Sequence, residues 1–213
     1  MKIALIGATG FVGSKVLAEA LQRGHQVTAL VRTPSKLAPA AGLTVVAADA
    51  TDAGSLANHL AGHDAVVSAY NGPRGTPEFA QRYRDGTQAI VDGVKRSGVK
   101  RVLLVGGAGS LFVAPGVSLL DTPAFPPEYR TEAQAARDAL HRISEENDLE
   151  WSFVSPAPIL APGERTGHFR LGDDTVLMDG DQPGRISVED LAVAIVDELE
   201  TPRHVRRRFT LAY

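Results

Sequence analysis

The sequence predicts a single α/β domain built on a doubly wound parallel sheet. Three observations carry that expectation. Apolar runs alternate with amphipathic segments along the whole chain. The first apolar run feeds a glycine-spaced turn and then a helix. No linker or internal repeat interrupts the 213 residues. Strand–helix alternation at this spacing needs crossover connections, which put helices on both faces of a parallel sheet.

The elements follow in order. Lys2–Ile6 reads as a buried strand. Phe11–Arg23 reads as a helix with Val12, Val16, Leu17, Ala20 and Leu21 on one face, stopped by Gly24. Strands are expected at Gln26–Val31 and Leu43–Ala48, then a short helix capped by Asp52. Asp64–Ala69 is strand four, Phe79–Ser97 a longer helix ending at Gly98, and Arg101–Val105 strand five. From Gly106 to Glu128, Gly and Pro break the pattern and predict a long loop, a kind of segment that tends to carry function. A helix over Arg130–Glu146 leads to strand six at Trp151–Val154, and Pro156, Pro158 and Pro162 mark another loop. Ser187 should cap a last helix, Val188–Leu199, with Glu189 and Asp190 in its first turn, before a final strand at Phe209–Leu211. The stretch 156–184 is too short for a second domain. It reads as a small lobe over the carboxyl ends of the strands, where ligands bind in open α/β sheets.

Composition narrows the function. A net charge of −3 gives no general attraction to nucleic acid or an acidic membrane surface, and Arg206, Arg207 and Arg208 are too few for a nucleic-acid patch. The chain has no cysteine, which excludes disulfides, thiolate zinc sites and cysteine nucleophiles. His59 and His63 stand four apart but straddle Gly62 at a helix end, so they read as surface residues and no metal site is expected. The apolar run Ile3–Ile6 is too short for a signal peptide, and no stretch approaches the ~20 apolar residues of a membrane helix. A soluble cytoplasmic protein, monomer or homodimer, is the expectation.

The chemistry concentrates after the first strand, in Gly7-Ala8-Thr9-Gly10-Phe11-Val12-Gly13. With a strand before it and a helix after it, this spacing is a dinucleotide-binding fingerprint of the Rossmann type. Gly7 allows the sharp turn, Gly10 lets a pyrophosphate approach the backbone, and Gly13 lets helix and strand pack closely. The helix start, with Thr9, Phe11 and Val12, offers unpaired N–H groups to the phosphates. Strand two ends not in the acidic residue usual for NAD sites but in Val31-Arg32-Thr33-Pro34-Ser35-Lys36. Arg32 can grip a 2′-phosphate bidentately, with Lys36 as a further donor, so NADP(H) is preferred over NAD(H); the other reading is a solvated basic turn. Asp49 and Ala50 follow strand three, where Asp49 either accepts a hydrogen bond from the adenine amine or shapes a capping turn. Ala69 and Tyr70 follow strand four, along the middle of the cofactor.

Longer motifs extend the match: Gly106-Gly107-Ala108-Gly109-Ser110-Leu111, then Asp121-Thr122-Pro123 with Phe125-Pro126 and Glu128-Tyr129, then Trp151–Pro156, Pro162–Gly167 and Ile186–Ala192. With these the chain resembles, over nearly its whole length, the atypical short-chain dehydrogenase/reductase group of NAD(P)H-flavin reductases. Relatives of that group are biliverdin-IXβ/flavin reductase and the NmrA-like proteins. The resemblance implies a cytoplasmic oxidoreductase that moves hydride between NAD(P)H and a flavin or similar acceptor. It places an active-site serine at Ser110, after strand five. Gly106 and Gly107, and Ser155 and Pro156, are then expected beside the nicotinamide. Tyr129 is a candidate donor or stacking ring, or a tyrosine packed on its loop. Ser110 either bonds the acceptor or nicotinamide, or satisfies its own loop. Arg165 either meets an anionic acceptor or forms a salt bridge.

One departure from ordinary short-chain dehydrogenases bears on mechanism. Those enzymes pair a Tyr with a Lys four residues on, which lowers the tyrosine pKa for proton exchange with an alcohol or carbonyl. Here Tyr70, Tyr83 and Tyr129 are followed four residues on by Arg74, Thr87 and Ala133, Tyr213 ends the chain, and the last lysine is Lys100. Only Arg74 could stand in, for Tyr70. A flavin or quinone needs less acid–base help than a sugar alcohol does, because it is itself an electron sink. The sequence thus favours a reductase with a small conjugated acceptor. The alternatives are a non-catalytic NADP(H)-binding redox sensor and, behind it, an epimerase or dehydratase.

Overall fold

The computed structural model describes residues 1–72 and 75–213; Arg74, the possible partner of Tyr70, lies outside them. The elements begin with β1 (Lys2–Ile6), α1 (Phe11–Gln22), β2 (Gln26–Val31), β3 (Leu43–Ala47), α2 (Ala53–Leu60), β4 (Ala65–Ser68), α3 (Phe79–Ser97) and β5 (Arg101–Val105). A small hairpin, β6 (Phe112–Ala114) and β7 (Val117–Ser118), precedes α4 (Arg130–Ser144) and β8 (Glu150–Pro156). Short strands β9 (Ile159–Ala161), β10 (Arg170–Gly172), β11 (Met178–Asp179), β12 (Gln182–Pro183) and β13 (Arg185–Ser187) lead to α5 (Val188–Glu200) and β14 (Arg207–Ala212).

The main sheet runs β10-β14-β8-β5-β4-β1-β2-β3. All neighbours are parallel except the edge pair β10–β14. Successive side chains of a strand face opposite sides. Ile3 and Leu5 therefore pack with Val16, Leu17 and Ala20 of α1 and Leu191 and Ile195 of α5, while Ala4 and Ile6 face Leu56 and Leu60 of α2 and Ile90 of α3. A strand covered on both faces must be apolar throughout, which is why these strands read as continuous runs. The caps fall as expected: Asp52 accepts from the Ser55 amide (3.0 Å) and Ser187 from the Asp190 amide (2.9 Å). Gly24 and Gly98 follow their helices.

Two expectations are corrected. The segment 106–128 is no plain loop. It holds three-residue helical turns at Ala108–Ser110 and Leu119–Asp121 besides the hairpin. It is bolted to α4 by Arg137, which donates to Asp121 (2.7 Å) and Ser118 (3.0 Å), and by Arg130, which donates to the Leu120 carbonyl (3.1 Å). His63 is not a free surface residue either: its ring meets the Leu60 carbonyl (3.0 Å) and Thr28 Oγ1 (2.8 Å), tying α2 to β2.

The lobe is strapped down. Residues 162–168 form no strand or helix, yet Arg165 makes a two-pronged ion pair with the buried Glu19 of α1, both contacts at 2.7 Å. The amides of Thr166 and Gly167 donate to the fully buried Asp190 of α5, each at 2.8 Å, and the hydroxyls of Thr166 (2.5 Å) and Tyr213 (2.8 Å) add two more bonds. The Pro162–Gly167 and Ile186–Ala192 motifs are thus two halves of one joint. Arg165 is committed to Glu19.

Candidate functional site

The strand order reverses between β1 and β4, since β2 and β3 lie to one side and β5 and β8 to the other. Ligands bind at the carboxyl ends of strands at such a switch point. A cleft of about 220 Å³ opens there. Its walls include Gly7, Thr9 and Gly10 after β1, Arg32 after β2, Asp49, Ala50 and Thr51 after β3, Ala69, Tyr70 and Asn71 after β4, and Arg82 from α3. Eight expected cofactor residues from four separate loops therefore share one cavity.

The backbone explains the glycines. Gly7 has φ +86°, and a Cβ on it would stand 2.5 Å from the Ala69 carbonyl oxygen. A Cβ on Gly13 would stand 2.1 Å from the Gly7 carbonyl oxygen, so α1 could not start this close to β1 with any other residue. The Gly10 amide closes the turn onto the Gly7 carbonyl (2.9 Å). Gly10, in extended conformation, precedes α1 without a side-chain cap. The first amides of the helix are left to a ligand, which fits a pyrophosphate.

The end of the cleft after β2 and β3 is polar and charged. Asp49 Oδ1 accepts from the amide (2.9 Å) and the hydroxyl (2.8 Å) of Thr51. Those bonds, with the charges of Arg32 and Arg82 behind them, hold the carboxyl below its ordinary pKa. Asp49 Oδ2 has no hydrogen-bond partner among the described residues and is available to an adenine amine. Burial, and then the Asp49 charge, push the Tyr70 hydroxyl up, against a role as a base at neutral pH. Tyr70 OH donates to the Arg82 carbonyl (2.9 Å), and its ring stacks with Tyr83 at 6.2 Å.

The other expected residues are not among those that line this cleft. Phe11 is exposed, Val12 is half-buried in α1, and Lys36 is exposed on the turn after β2. Gly106 leaves room for the Phe153 ring, 2.0 Å from where its Cβ would be, and Gly107 follows it. Ser155 and Pro156 are buried at the end of β8, where Ser155 pairs in register with Thr210 of β14 and neither hydroxyl has a partner among the described residues. Ser110 is buried, and its Oγ and carbonyl accept from Arg208 (3.0 and 2.8 Å). Arg208 is itself buried and paired with Asp174 (2.7 Å), and Arg206 donates to the carbonyls of Leu149 (3.2 Å) and Asn147 (2.7 Å). Two members of the basic run at 206–208 are thereby tied to their own chain. Tyr129 is 57% exposed on the turn before α4.

Sequence reasoning missed Arg82, which tertiary packing brings in from another element. The available signal was Gly86, a glycine four residues on in the middle of a helix, which marks a close approach.

Comparison with known proteins agrees with this geometry. The profile of the family described as NAD(P)H-binding matches residues 7–202. A solved structure from Burkholderia pseudomallei, provisionally named an exported protein, is 49% identical with a TM-score of 0.91, covering 100% of both chains. One from Bacteroides thetaiotaomicron, provisionally named an epimerase, is 43% identical with a TM-score of 0.93, covering 100% of this chain and 96% of its own. One from Streptococcus pneumoniae, provisionally named an NADH-flavin reductase, is 33% identical with a TM-score of 0.87, covering 100% of this chain and 99% of its own. Among the described residues no helix is long and apolar enough to cross a membrane. With the profile running from the glycine turn almost to the last strand, the chain belongs to the NAD(P)H-binding family.

Proposed function

We propose that the protein is a cytoplasmic oxidoreductase that takes NADPH in preference to NADH and reduces a small conjugated acceptor such as a flavin or quinone. The observation that carries the reading is the cleft itself. Its wall after β2 presents Arg32 in place of an acidic residue, and Asp49 faces it with one free oxygen. Bound NADPH supplies a hydride from its nicotinamide ring.

The chain's own groups bind and orient. Gly7, Thr9, Gly10 and the first amides of α1, with Phe11, Val12 and Gly13, receive the pyrophosphate. Arg32 takes the 2′-phosphate, with Lys36 within the same turn. Asp49 and Ala50 hold the adenine, and Ala69 and Tyr70 wall the ribose. Gly106, Gly107, Ser155 and Pro156 back the nicotinamide end. Because Ser110 Oγ already accepts from Arg208, its own O–H is left to donate to the acceptor or the nicotinamide carboxamide. Tyr129 offers an exposed ring to a planar acceptor.

The absence of any Tyr-x-x-x-Lys pair favours an acceptor that needs no strong protein base, over an epimerase or dehydratase. The provisional name of the Streptococcus pneumoniae relative supports a flavin acceptor, while the reductant it names is NADH. The deciding experiment follows NADPH absorbance with purified protein and FMN, riboflavin or a simple quinone, with NADH in parallel. Acceptor-dependent oxidation with NADPH preferred is expected. Tight NADPH binding without turnover on any acceptor would replace the reductase by a redox sensor.

A further inference from the structure

We propose that Arg82, in the first turn of α3, joins Arg32 in gripping the 2′-phosphate of NADPH and so helps set the preference for NADPH over NADH. The inference rests on the NADPH reading above and adds a second specificity residue to it.

Arg32 and Arg82 come from elements fifty residues apart yet line the same cleft, on either side of Asp49 in chain order. Neither guanidinium has a hydrogen-bond or ion-pair partner among the described residues. Arg23, Arg101, Arg137, Arg165 and Arg208 behave otherwise, each committed to a carboxylate of its own chain. The fields of Arg32 and Arg82 both reach Asp49 and Tyr70, as expected of two cations in one small space.

Charge identifies the ligand group. Two guanidinium groups line the cleft with one carboxylate, Asp49, while Asp85 of α3 accepts from Gln81 outside the lining and reaches Tyr70 with a smaller field, so the adenosine end is left with excess positive charge. Unpaired arginines at a cleft wall are suited to a phosphate, which they bind through two parallel N–H bonds. The pyrophosphate belongs at the other end, on the Gly10 turn and the start of α1, where backbone amides are free. The anion left for the arginine pair is the 2′-phosphate.

Arg82 is also held in place. Tyr70 OH donates to the Arg82 carbonyl at 2.9 Å, and the Tyr70 ring is seated against Gly86 one turn further along α3. The turn that carries Arg82 is thereby pinned to the cleft wall.

The test compares 2′,5′-ADP with 5′-AMP, which lacks the 2′-phosphate, by calorimetric titration of the whole protein and its Arg82→Ala, Arg82→Lys and Arg32→Ala variants. Melting curves run alongside identify any variant that has lost its fold. Arg82→Ala is expected to weaken 2′,5′-ADP by about tenfold or more, as for a lost hydrogen bond to a charged group, and to leave 5′-AMP within about twofold. Arg82→Lys keeps the charge without the fork and should recover part of the loss. Equal weakening of both nucleotides would assign Arg82 to the adenine and overturn the clamp. No change in either would overturn it too. If the unmodified protein does not distinguish the two nucleotides, the NADPH reading fails and the clamp with it. If it does, and Arg32→Ala alone abolishes the distinction, the reading stands and the Arg82 proposal falls.

Discussion

The ring of Tyr70 fills a notch that Gly86 leaves in α3. A Cβ on Gly86 would stand 2.4 Å from Tyr70 Cε1, 2.5 Å from Cζ and 2.6 Å from the hydroxyl oxygen. A mid-helix glycine weakens a helix by roughly 0.5–1 kcal/mol relative to alanine, so this one needs a compensating contact. The Tyr70 ring is that contact, and through it a helix is fitted to the wall of the cleft.

Gly86→Ala should therefore not stabilise α3 despite the better helix former. The added methyl collides with the ring, and overpacking of this kind costs about 1–3 kcal/mol. A lowered Tm, together with weaker NADPH binding by titration, is the expected pair of results. A stabilised protein with unchanged binding would show that the ring moves aside freely.

Arg32→Ala should weaken NADPH binding by about 1.5–3 kcal/mol, the range for a hydrogen bond to a charged group, and leave NADH nearly untouched. Fluorescence titration with both cofactors reads the two numbers side by side. Equal losses would remove the 2′-phosphate from Arg32.

Gly13→Ala tests the phosphate turn. Its Cβ would stand 2.1 Å from the Gly7 carbonyl oxygen, and backbone cannot yield as a flexible side chain does. The start of α1 must move away from β1, taking its free amides off the phosphate position. NADPH binding is expected to fall by at least about tenfold, beyond the ~1.4 kcal/mol that a tenfold change represents. Circular dichroism should show that the helices remain.

The strap predicts a pH dependence. The two hydrogen bonds from Arg165, and then the one from Arg23, hold the Glu19 carboxyl below its ordinary value of 4.5 against the opposing effect of burial. A carboxyl whose folded pKa is depressed contributes stability that is complete above its unfolded pKa and is lost as pH falls through the folded one. Glu19→Gln should cost about 1–3 kcal/mol near neutrality, because it leaves charged donors poorly matched. The gap between the two proteins should close as the pH drops below the ordinary carboxylate value. Urea midpoints across that range measure it, and a gap that stays constant with pH would place the Glu19 contribution outside its charge.

The central sheet was legible because its strands are covered on both faces: Ile3–Ile6 and Val102–Leu104 can only be buried runs. The glycine turn was legible because Gly7 and Gly13 are set by backbone contacts within a few residues of one another. The caps at Asp52 and Ser187 were legible for the same local reason. What escaped depends on distant partners. The edge strand Arg170–Gly172 owes its pairing to β14, about forty residues on, and half-exposed short strands carry little periodic signal. The Gly106–Glu128 stretch looked like a loop because its order comes from Arg130 and Arg137 on a later helix. Arg82 escaped because nothing along the chain ties it to β2.

The strap over α1 and α5 has a consequence on the timescale of hydrogen exchange. Residues 162–168 have no regular structure, and a surface loop of that kind ordinarily exchanges its amides quickly. Here the amide hydrogens of Thr166 and Gly167 rest on the Asp190 carboxylate and that of Gly163 on Glu189. Opening the loop would take three donors from the buried Asp190 carboxylate, so the amides of Thr166 and Gly167 are expected to exchange more slowly than those of an ordinary surface loop. The strap then holds this edge of the lobe ready-made against α1 and α5, so that its shape does not wait on a ligand.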